Sequence, residues 1–471
     1  MLAKKIAFNS LIAATVRVAG TGLALVVIAL LTRYLGREQW GEYAIMMTFG
    51  SIFSVLAELG LYQLMVREIS RPNADEAKII GNIFSLRLVI GLFIFLLAPL
   101  VSLLFPYSAL ARWGILIGSL GFWLMSSGQV LMGVFQKNLR LDKVALAELA
   151  GRVAQLLGVW WLIKQQSGFL PLVSVFVFSA AVNWGFLIYQ AKQLIAWRPQ
   201  FDWAFWRSLL RRGYPLAISG VLSIIYFSAS SLILSVIKPP AEVGIFRLAY
   251  KVLESLIFFP AMFAGLIMPL LSRFALGERF KFQQVFQKSW DVLLIFTLPL
   301  VAGAALLAQP IVFLLGGRQY SEAAPVLSIL MIAVAAIFLS TLFSYALIAL
   351  GQEKKIMMTA GAAVIGNLLL NIFLLPRYSY LGAAWVTTVT ESGVALALVF
   401  FLWPIIKNLS FKKALKSFAA TVLMVMILWW GRGQNTAWLI SGGALFYFLT
   451  LKILGGFSWQ EVRSLINSQH D

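Results

Sequence analysis

Stretches of about 20 mainly apolar residues, each sufficient to carry a helix across a hydrocarbon core, recur from Asn9 to Gly456 with only short polar interruptions. The pattern predicts an all-α polytopic membrane protein with about 14 transmembrane helices. The expected spans are 10–32, 41–63, 79–105, 110–134, 144–164, 169–190, 214–237, 244–270, 286–308, 324–350, 356–375, 381–406, 414–432 and 436–455. No soluble domain fits between them. The first apolar segment is as long as a full span and lacks a small-residue cleavage site, so it reads as a retained helix rather than a signal peptide.

The order of polar landmarks repeats. Gly41-Glu42-Tyr43 opens the second span and Ser70-Arg71 follows its exit; Gly244-Ile245-Phe246 opens the eighth and Ser272-Arg273 follows at nearly the same distance. Lys143 and Lys355 precede the fifth and eleventh spans in the same way. These features suggest a six-helix lobe over 1–213, a second over 214–408, and two extra helices with a tail over 409–471. The alternative is a chance likeness between amphiphilic segments. Linker 191–213, with Phe201, Trp203, Phe205, Trp206 and Leu209 among Arg207, Arg211 and Arg212, suits a helix lying in the headgroup plane. Segment 278–290 is a shorter candidate of that kind.

Composition agrees with lipid as the solvent: 61% of residues are hydrophobic, only 12% are charged, and the mean hydropathy is +0.88. The formal charge of +20 comes from basic residues scattered among loops, without a basic domain, so topology and anionic lipid explain it better than nucleic acid does. With the N-terminus inside, about 25 of the 38 Lys and Arg residues fall in cytoplasmic segments. An even span count then returns the C-terminus to the cytoplasm. Cysteine is absent and His470 is the only histidine, and neither a GxxxxGK[ST] loop nor an HExxH pair occurs. Common nucleophile, metal and nucleotide devices are therefore missing, and the chain does not read as an enzyme.

The candidate chemistry lies in charges at membrane depth, each costing about 2.5 to 3.5 kcal/mol if left facing lipid at mid-bilayer. Arg17 falls in the first span, Glu58 in the second, Arg87 in the third, Glu148 and Arg152 in the fifth, Arg247, Lys251 and Glu254 in the eighth, and Glu391 in the twelfth. Glu148 and Arg152 have the i,i+4 order of an intrahelical pair. Arg247, Lys251 and Glu254 share one helix face; Glu254 can neutralise Lys251, which leaves Arg247 as a candidate for an anionic ligand. Arg17 has snorkelling to headgroups as its alternative. Arg87 has no acid at helical spacing on its own segment. Glu58 and Glu391 read as coupling-ion sites or counter-ions. Arginine suits a diphosphate because its planar fork donates bidentate hydrogen bonds and stays charged. Trp123, Trp184, Tyr226, Tyr345 and Trp385 are candidate sugar contacts, with packing or interfacial anchoring as the plainer role.

Short motifs in series resemble a known family. Leu31-Thr32-Arg33-Tyr34-Leu35-Gly36 with Trp40-Gly41-Glu42-Tyr43-Ala44, then Glu58-Leu59-Gly60-Leu61 leading to Val66-Arg67-Glu68-Ile69, and Gly81-Asn82 through Arg87-Leu88 look like the first half of polysaccharide-export flippases. Glu242-Val243-Gly244-Ile245-Phe246 with Ala249-Tyr250, Ala323-Ala324-Pro325-Val326-Leu327, and Gly366-Asn367 through Gly382-Ala383-Ala384 resemble the second half. These flippases belong to the multidrug/oligosaccharidyl-lipid/polysaccharide exporter superfamily. The resemblance implies two six-helix lobes plus a C-terminal pair, and alternating-access transfer of a polyprenyl-diphosphate-linked oligosaccharide to the outer leaflet, with O-antigen-type units on undecaprenyl diphosphate as substrates. In related lipid II flippases cationic residues on spans one, three and eight line the cavity, and Arg17, Arg87 and Arg247 occupy comparable spans here. The expected partners are the lipid-linked saccharide, membrane lipids, and a polysaccharide polymerase and glycosyltransferases, with the chain working as a monomer. No cofactor is expected beyond coupling to a proton or sodium gradient. A cation-coupled exporter of small amphiphiles and a membrane glycan ligase or polymerase are the alternatives; twelve spans with acidic cation sites would suit the former, and a large extracytoplasmic loop the latter.

Overall fold

The computed structural model describes the backbone of residues 2–456 except 276 and 408, and the side chains of these residues except 2–15, 17, 215, 216, 219 and 222. Its described residues fold as helices and turns, without a strand, in two compact units, Met1–Gly244 and Ile245–Asp471. Among the described residues eleven helices are long and apolar enough to cross a membrane, and Ser223–Ile237 is a shorter apolar one. Two of the eleven are each split by a backbone break, and with Ser223–Ile237 counted as well the total is the fourteen crossings read from the sequence.

The first unit begins with α1 (Leu2–Glu58), divided at Gly36, whose φ of 71° and ψ of −179° reverse the chain between two spans. It continues through α2 (Leu61–Ile69), α3 (Glu76–Ser102), α4 (Ala109–Gln129), α5 (Met132–Lys137), α6 (Leu141–Lys164), α7 (Phe169–Leu194) and α8 (Trp203–Ile237). α7 packs on both α4 and α6, and α1 packs on α4, α6 and α8. Along α3 the two faces separate cleanly. Arg87, Gly91, Phe95, Ala98 and Ser102 are buried at helical spacing, whereas Phe93, Leu96, Leu97 and Leu100 follow the opposite, exposed stripe. That inversion is the mark of a helix whose outer solvent is lipid.

The landmarks of the suggested repeat meet in this unit. A Cβ added at Gly41 would collide with the Pro240 carbonyl, and one at Gly244 would stand 2.7 Å from the Arg37 carbonyl. Only glycine permits backbones to approach this closely. The 191–213 linker divides into the end of α7, an extended strap over 195–202, and the start of α8, so position 213 lies inside a continuous helix. Phe201 and Trp203 are exposed there, as a headgroup-level segment requires, while Trp206 and Leu209 are buried with Leu64, Met65, Ile80 and Phe135. Segment 278–290 likewise runs on into a spanning helix.

The second unit holds most of α9 (Pro240–Leu256), then α10 (Phe258–Ala275), α11 (Arg279–Leu306), α12 (Ala308–Gly316), a 3-10 turn (Arg318–Tyr320), α13 (Ala323–Ala349), α14 (Glu353–Ile406), α15 (Lys412–Trp430) and α16 (Thr436–Ile453). α14 is two spans joined at Ser379, where φ is 49° and ψ −128°. α13 packs against α10, α11 and α14. The extra pair docks on α11, where Met424, Leu428, Tyr447 and Leu451 bury Ile295 and Leu307, and the Tyr447 hydroxyl donates to the Ile295 carbonyl at 2.8 Å.

Candidate functional site

Arg87 is fully buried on α3. α1 stops at Glu58 because Leu59 and Gly60 take left-handed φ angles of 48° and 68°, so its last carbonyls lose their helical partners. Arg87 Nη1 donates to one of these, the Ala57 carbonyl. α4 stops at Gln129, and Arg87 Nε donates at 3.0 Å to the carbonyl of Ser126 in its last turn. A single guanidinium thus closes two helix C-termini, the negative ends of both dipoles. Glu58 adds its charge to the same attraction. Nη2 is buried without a hydrogen-bond partner. Arg87 therefore spends two donors on backbone that cannot move away, and its role here is to hold a broken helix in register.

Arg247 on α9 is compensated differently. Its Nη1 lies 3.3 Å from Glu254 Oε1, and Lys251 Nζ donates to Glu254 Oε2 at 2.6 Å. The i,i+4,i+7 spacing brings all three to one face, and one carboxylate serves two cations. The Arg247 guanidinium carbon also sits 5.4 Å from the centre of the Tyr250 ring. Glu391 of α14 is buried and acts electrostatically on Tyr250, which brings a second carboxylate toward this cluster.

The other candidates are dispersed. The Arg17 side chain lies outside the described residues. Arg152 packs beside the first span, its Cδ 3.3 Å from where a Cβ on Gly20 would stand, and Glu148 is half-buried one turn earlier on α6. Among the aromatics, Trp123 donates Nε1 to the Leu88 carbonyl at 3.0 Å and so packs α4 on α3. Trp184 lies beside Gly128, Tyr226 and Tyr345 are half-buried, and Trp385 is 46% exposed.

Three polar arrangements escaped the reading of intramembrane charge. Buried Glu68 receives Arg212 at 2.8 Å, Arg71 at 2.9 Å and Arg67 at 3.3 Å, tying α2 to α8. Arg67, Glu68 and Arg71 were visible at helical spacing, but Arg212 comes from far along the chain. Asn82 fixes the strap: its side chain accepts from the Asp202 amide at 2.8 Å and donates to Gln200 at 3.2 Å, while its carbonyl accepts from Trp206 Nε1. A Cβ on Gly81 would collide with the Arg198 carbonyl, which explains the Gly81-Asn82 pair. In the second unit Asn371 donates at 2.8 Å to Asn367, which donates at 3.4 Å to Thr390, a buried polar chain between the two spans of α14. Among the described residues no group of three His, Cys, Asp or Glu side chains is placed to hold a metal.

This architecture is shared. A lipid II flippase, MurJ, in an inward closed conformation superposes with a TM-score of 0.77 at 16% identity, covering 98% of this chain and 99% of that one. An inward-facing multidrug resistance transporter of the MATE family and MOP superfamily gives 0.62 at 16% identity, over 84% of this chain and 100% of that one. In sequence the chain is 21% identical over 434 residues to a probable low-salt glycan biosynthesis flippase, Agl15, of Haloferax volcanii, covering 92% of this chain and 87% of that protein. The family model described as "Polysaccharide biosynthesis protein" matches residues 30–325, more than half of the 471 residues. With the fold of the MOP superfamily and a family match that runs from the first span into the tenth, the chain belongs to the polysaccharide biosynthesis protein family.

Proposed function

We propose that this protein flips a polyprenyl-diphosphate-linked oligosaccharide from the inner to the outer leaflet of the cytoplasmic membrane by alternating access, with both termini in the cytoplasm. The observation that carries the reading is the unequal cluster on α9, where Arg247 and Lys251 divide the single carboxylate of Glu254. Two cations on one shared acid, with Glu391 as a second carboxylate near them, gather positive groups at membrane depth, where an anionic headgroup is attracted more strongly than in water. Arg247 offers a planar fork and Lys251 a mobile point charge, a complementary pair for a diphosphate. Arg17 is proposed as a further contact, whereas Arg87 serves as a positioning residue at the α1 and α4 termini. The glycan itself is recognised more loosely, through exposed rings such as Trp385. Glu391 is proposed as the coupling group: ionised, it compensates the α9 cations; protonated or ion-bound, it frees them for substrate. The family match and the likeness to flippases favour a glycan-bearing lipid over a cationic drug. A polymerase and glycosyltransferases acting on the same glycan are the proposed partners of a monomeric transporter.

The test is flipping of a fluorescent polyprenyl-diphosphate oligosaccharide in liposomes. Arg247→Ala and Lys251→Ala are each expected to slow it about tenfold or more, the equivalent of one lost charge-assisted hydrogen bond, while the protein remains folded. Unchanged flipping in both variants would overturn the site. Efflux of a cationic dye instead would favour a drug exporter, and a covalent glycan product a ligase.

A further inference from the structure

The second unit contains a cavity of about 410 Å³ that none of the α9 residues line. It opens where three chain segments converge: the start of α11, the turn between α13 and α14, and the last turn of α14. Its polar lining comes from Arg279, Lys355 and Gln352, its apolar lining chiefly from Phe282, Phe401 and Ile405, and no carboxylate belongs to it. Of the flanking acids, Glu278 pairs with Lys281, and Glu353 does not line the cavity.

Both cations face the cavity without a neutralising partner among the described residues. Arg279 Nη2 donates at 2.9 Å to the Pro404 carbonyl, which fixes the guanidinium against the end of α14, and its remaining nitrogens hold no other hydrogen bond. Lys355 Nζ stands 5.2 Å from the centre of the Phe401 ring and makes no ion pair. Beneath them lies Phe282, only 2% exposed, an apolar floor. Gln283 ties α11 to the same helix end by donating to the Ile405 carbonyl at 2.9 Å, so the walls are held by more than the lining residues.

Two positive groups above an apolar floor suit an anion with a hydrocarbon body. A bare phosphate would use the cations and leave the aromatic lining in water. The level also fits a membrane surface: Trp403, one turn from Lys407, is 59% exposed, and Phe280, beside Arg279, is 71% exposed. Exposed aromatics next to basic residues mark the headgroup boundary. The surrounding loops carry Arg273, Lys281, Lys354, Lys407, Lys412 and Lys413, and that bias assigns this face to the cytoplasmic leaflet.

We propose that this cavity binds an anionic glycerophospholipid of the cytoplasmic leaflet, its phosphate between Arg279 and Lys355 and the start of an acyl chain against Phe401 and Ile405. Bound there, the lipid bridges α11 to both ends of α14 and stiffens the second unit at the membrane surface. The site is separate from the α9 cations and stands whether or not the flippase reading does, because its test reads lipid binding and not transport.

Delipidated full-length protein in detergent is titrated with phosphatidylglycerol, phosphatidylcholine or inorganic phosphate, and followed by native mass spectrometry and thermal melting. Phosphatidylglycerol is expected to bind and to raise the melting temperature by about 3 °C or more, with neither of the others doing so. The Arg279→Gln/Lys355→Gln variant is expected to lose at least about fivefold in phosphatidylglycerol affinity. Arg279→Lys/Lys355→Arg keeps the charge and retains binding, so a folding defect is separated from a binding defect. Lys407→Gln/Lys412→Gln removes equal charge from the same face outside the cavity and leaves the affinity unchanged. Equal stabilisation by phosphatidylcholine, undiminished affinity in the double glutamine variant, or an equal loss in the Lys407/Lys412 control overturns the site; reproduction of the effect by inorganic phosphate overturns the lipid as its occupant.

Discussion

The two arginines buried among the described residues, Arg87 on α3 and Arg247 on α9, look alike in sequence and are stabilised in different ways. Each is a guanidinium at membrane depth flanked by apolar residues. Arg87 is held by carbonyls of two helix ends, groups that belong to rigid backbone and carry only partial charge. Arg247 is held by a side-chain carboxylate that also serves Lys251. The first arrangement is fixed and saturates two donors. The second is adjustable, because a carboxylate shared by two cations can rotate toward either one. A buried cation thus reveals little until its counter-groups are known: backbone acceptors fix it in place, and a shared acid lets it adjust.

The sharpest break in this comparison is Arg87→Ala. It orphans two buried carbonyls and opens a cavity, and should cost about 3 to 5 kcal/mol, seen as a marked fall in melting temperature and loss of monodispersity in detergent. Arg87→Lys should recover part of that, since a single ammonium cannot span both carbonyls with the fork geometry. A variant that melts like the parent would remove the clamp. Glu254→Gln probes the other side: it leaves two neighbouring cations without their acid, at about 1 to 2 kcal/mol given that the group is a third exposed. Its effect on flipping should exceed its effect on stability, in contrast to Arg87.

Gly81→Ala tests whether the strap matters as the clamp does. The added methyl meets the Arg198 carbonyl, so residues 195–202 must shift, at about 1 to 3 kcal/mol, with faster hydrogen exchange and proteolysis confined to the strap. The smallest effect concerns Asp202 at the far end of that strap. The Phe205 amide, which it caps, and then Lys78 hold its carboxyl below its ordinary value. A lowered folded pKa means that its contribution is present above the unfolded value and lost as pH falls through the folded one. Exchange at the first turn of α8 should therefore rise, relative to intrinsic rates, as pH falls below the ordinary carboxylate range, and Asp202→Ala should remove that pH dependence.

Much of the architecture was legible. Most observed helices reproduce the expected spans within a few residues, since hydrophobic length decides which segments can sit in lipid, whereas α8 and α11 begin well before theirs, at Trp203 and Arg279. The break after Glu58 had its signal in Leu59-Gly60, and the glycine landmarks Gly41 and Gly244 mark close backbone approaches. The strap was harder to read: an aromatic and basic linker suited a surface helix, yet Trp206 and Leu209 turn inward because α8 begins there and packs on the first unit. The site was only partly legible. The face shared by Arg247, Lys251 and Glu254 follows from spacing within one helix, but Glu254 was expected to serve Lys251 and in fact serves both cations.

Sequence by itself determined the solvent of this protein, its spans and its family landmarks, because the cost of placing each residue in lipid is local and accumulates along one segment. Only the tertiary structure decided what compensates each charge. The carbonyls that hold Arg87 lie 30 and 39 residues away, on helices whose ends are exposed to it only after the chain has folded. Composition records that a charge must be sheltered, and three-dimensional neighbours determine whether that shelter is rigid backbone or an adjustable side chain.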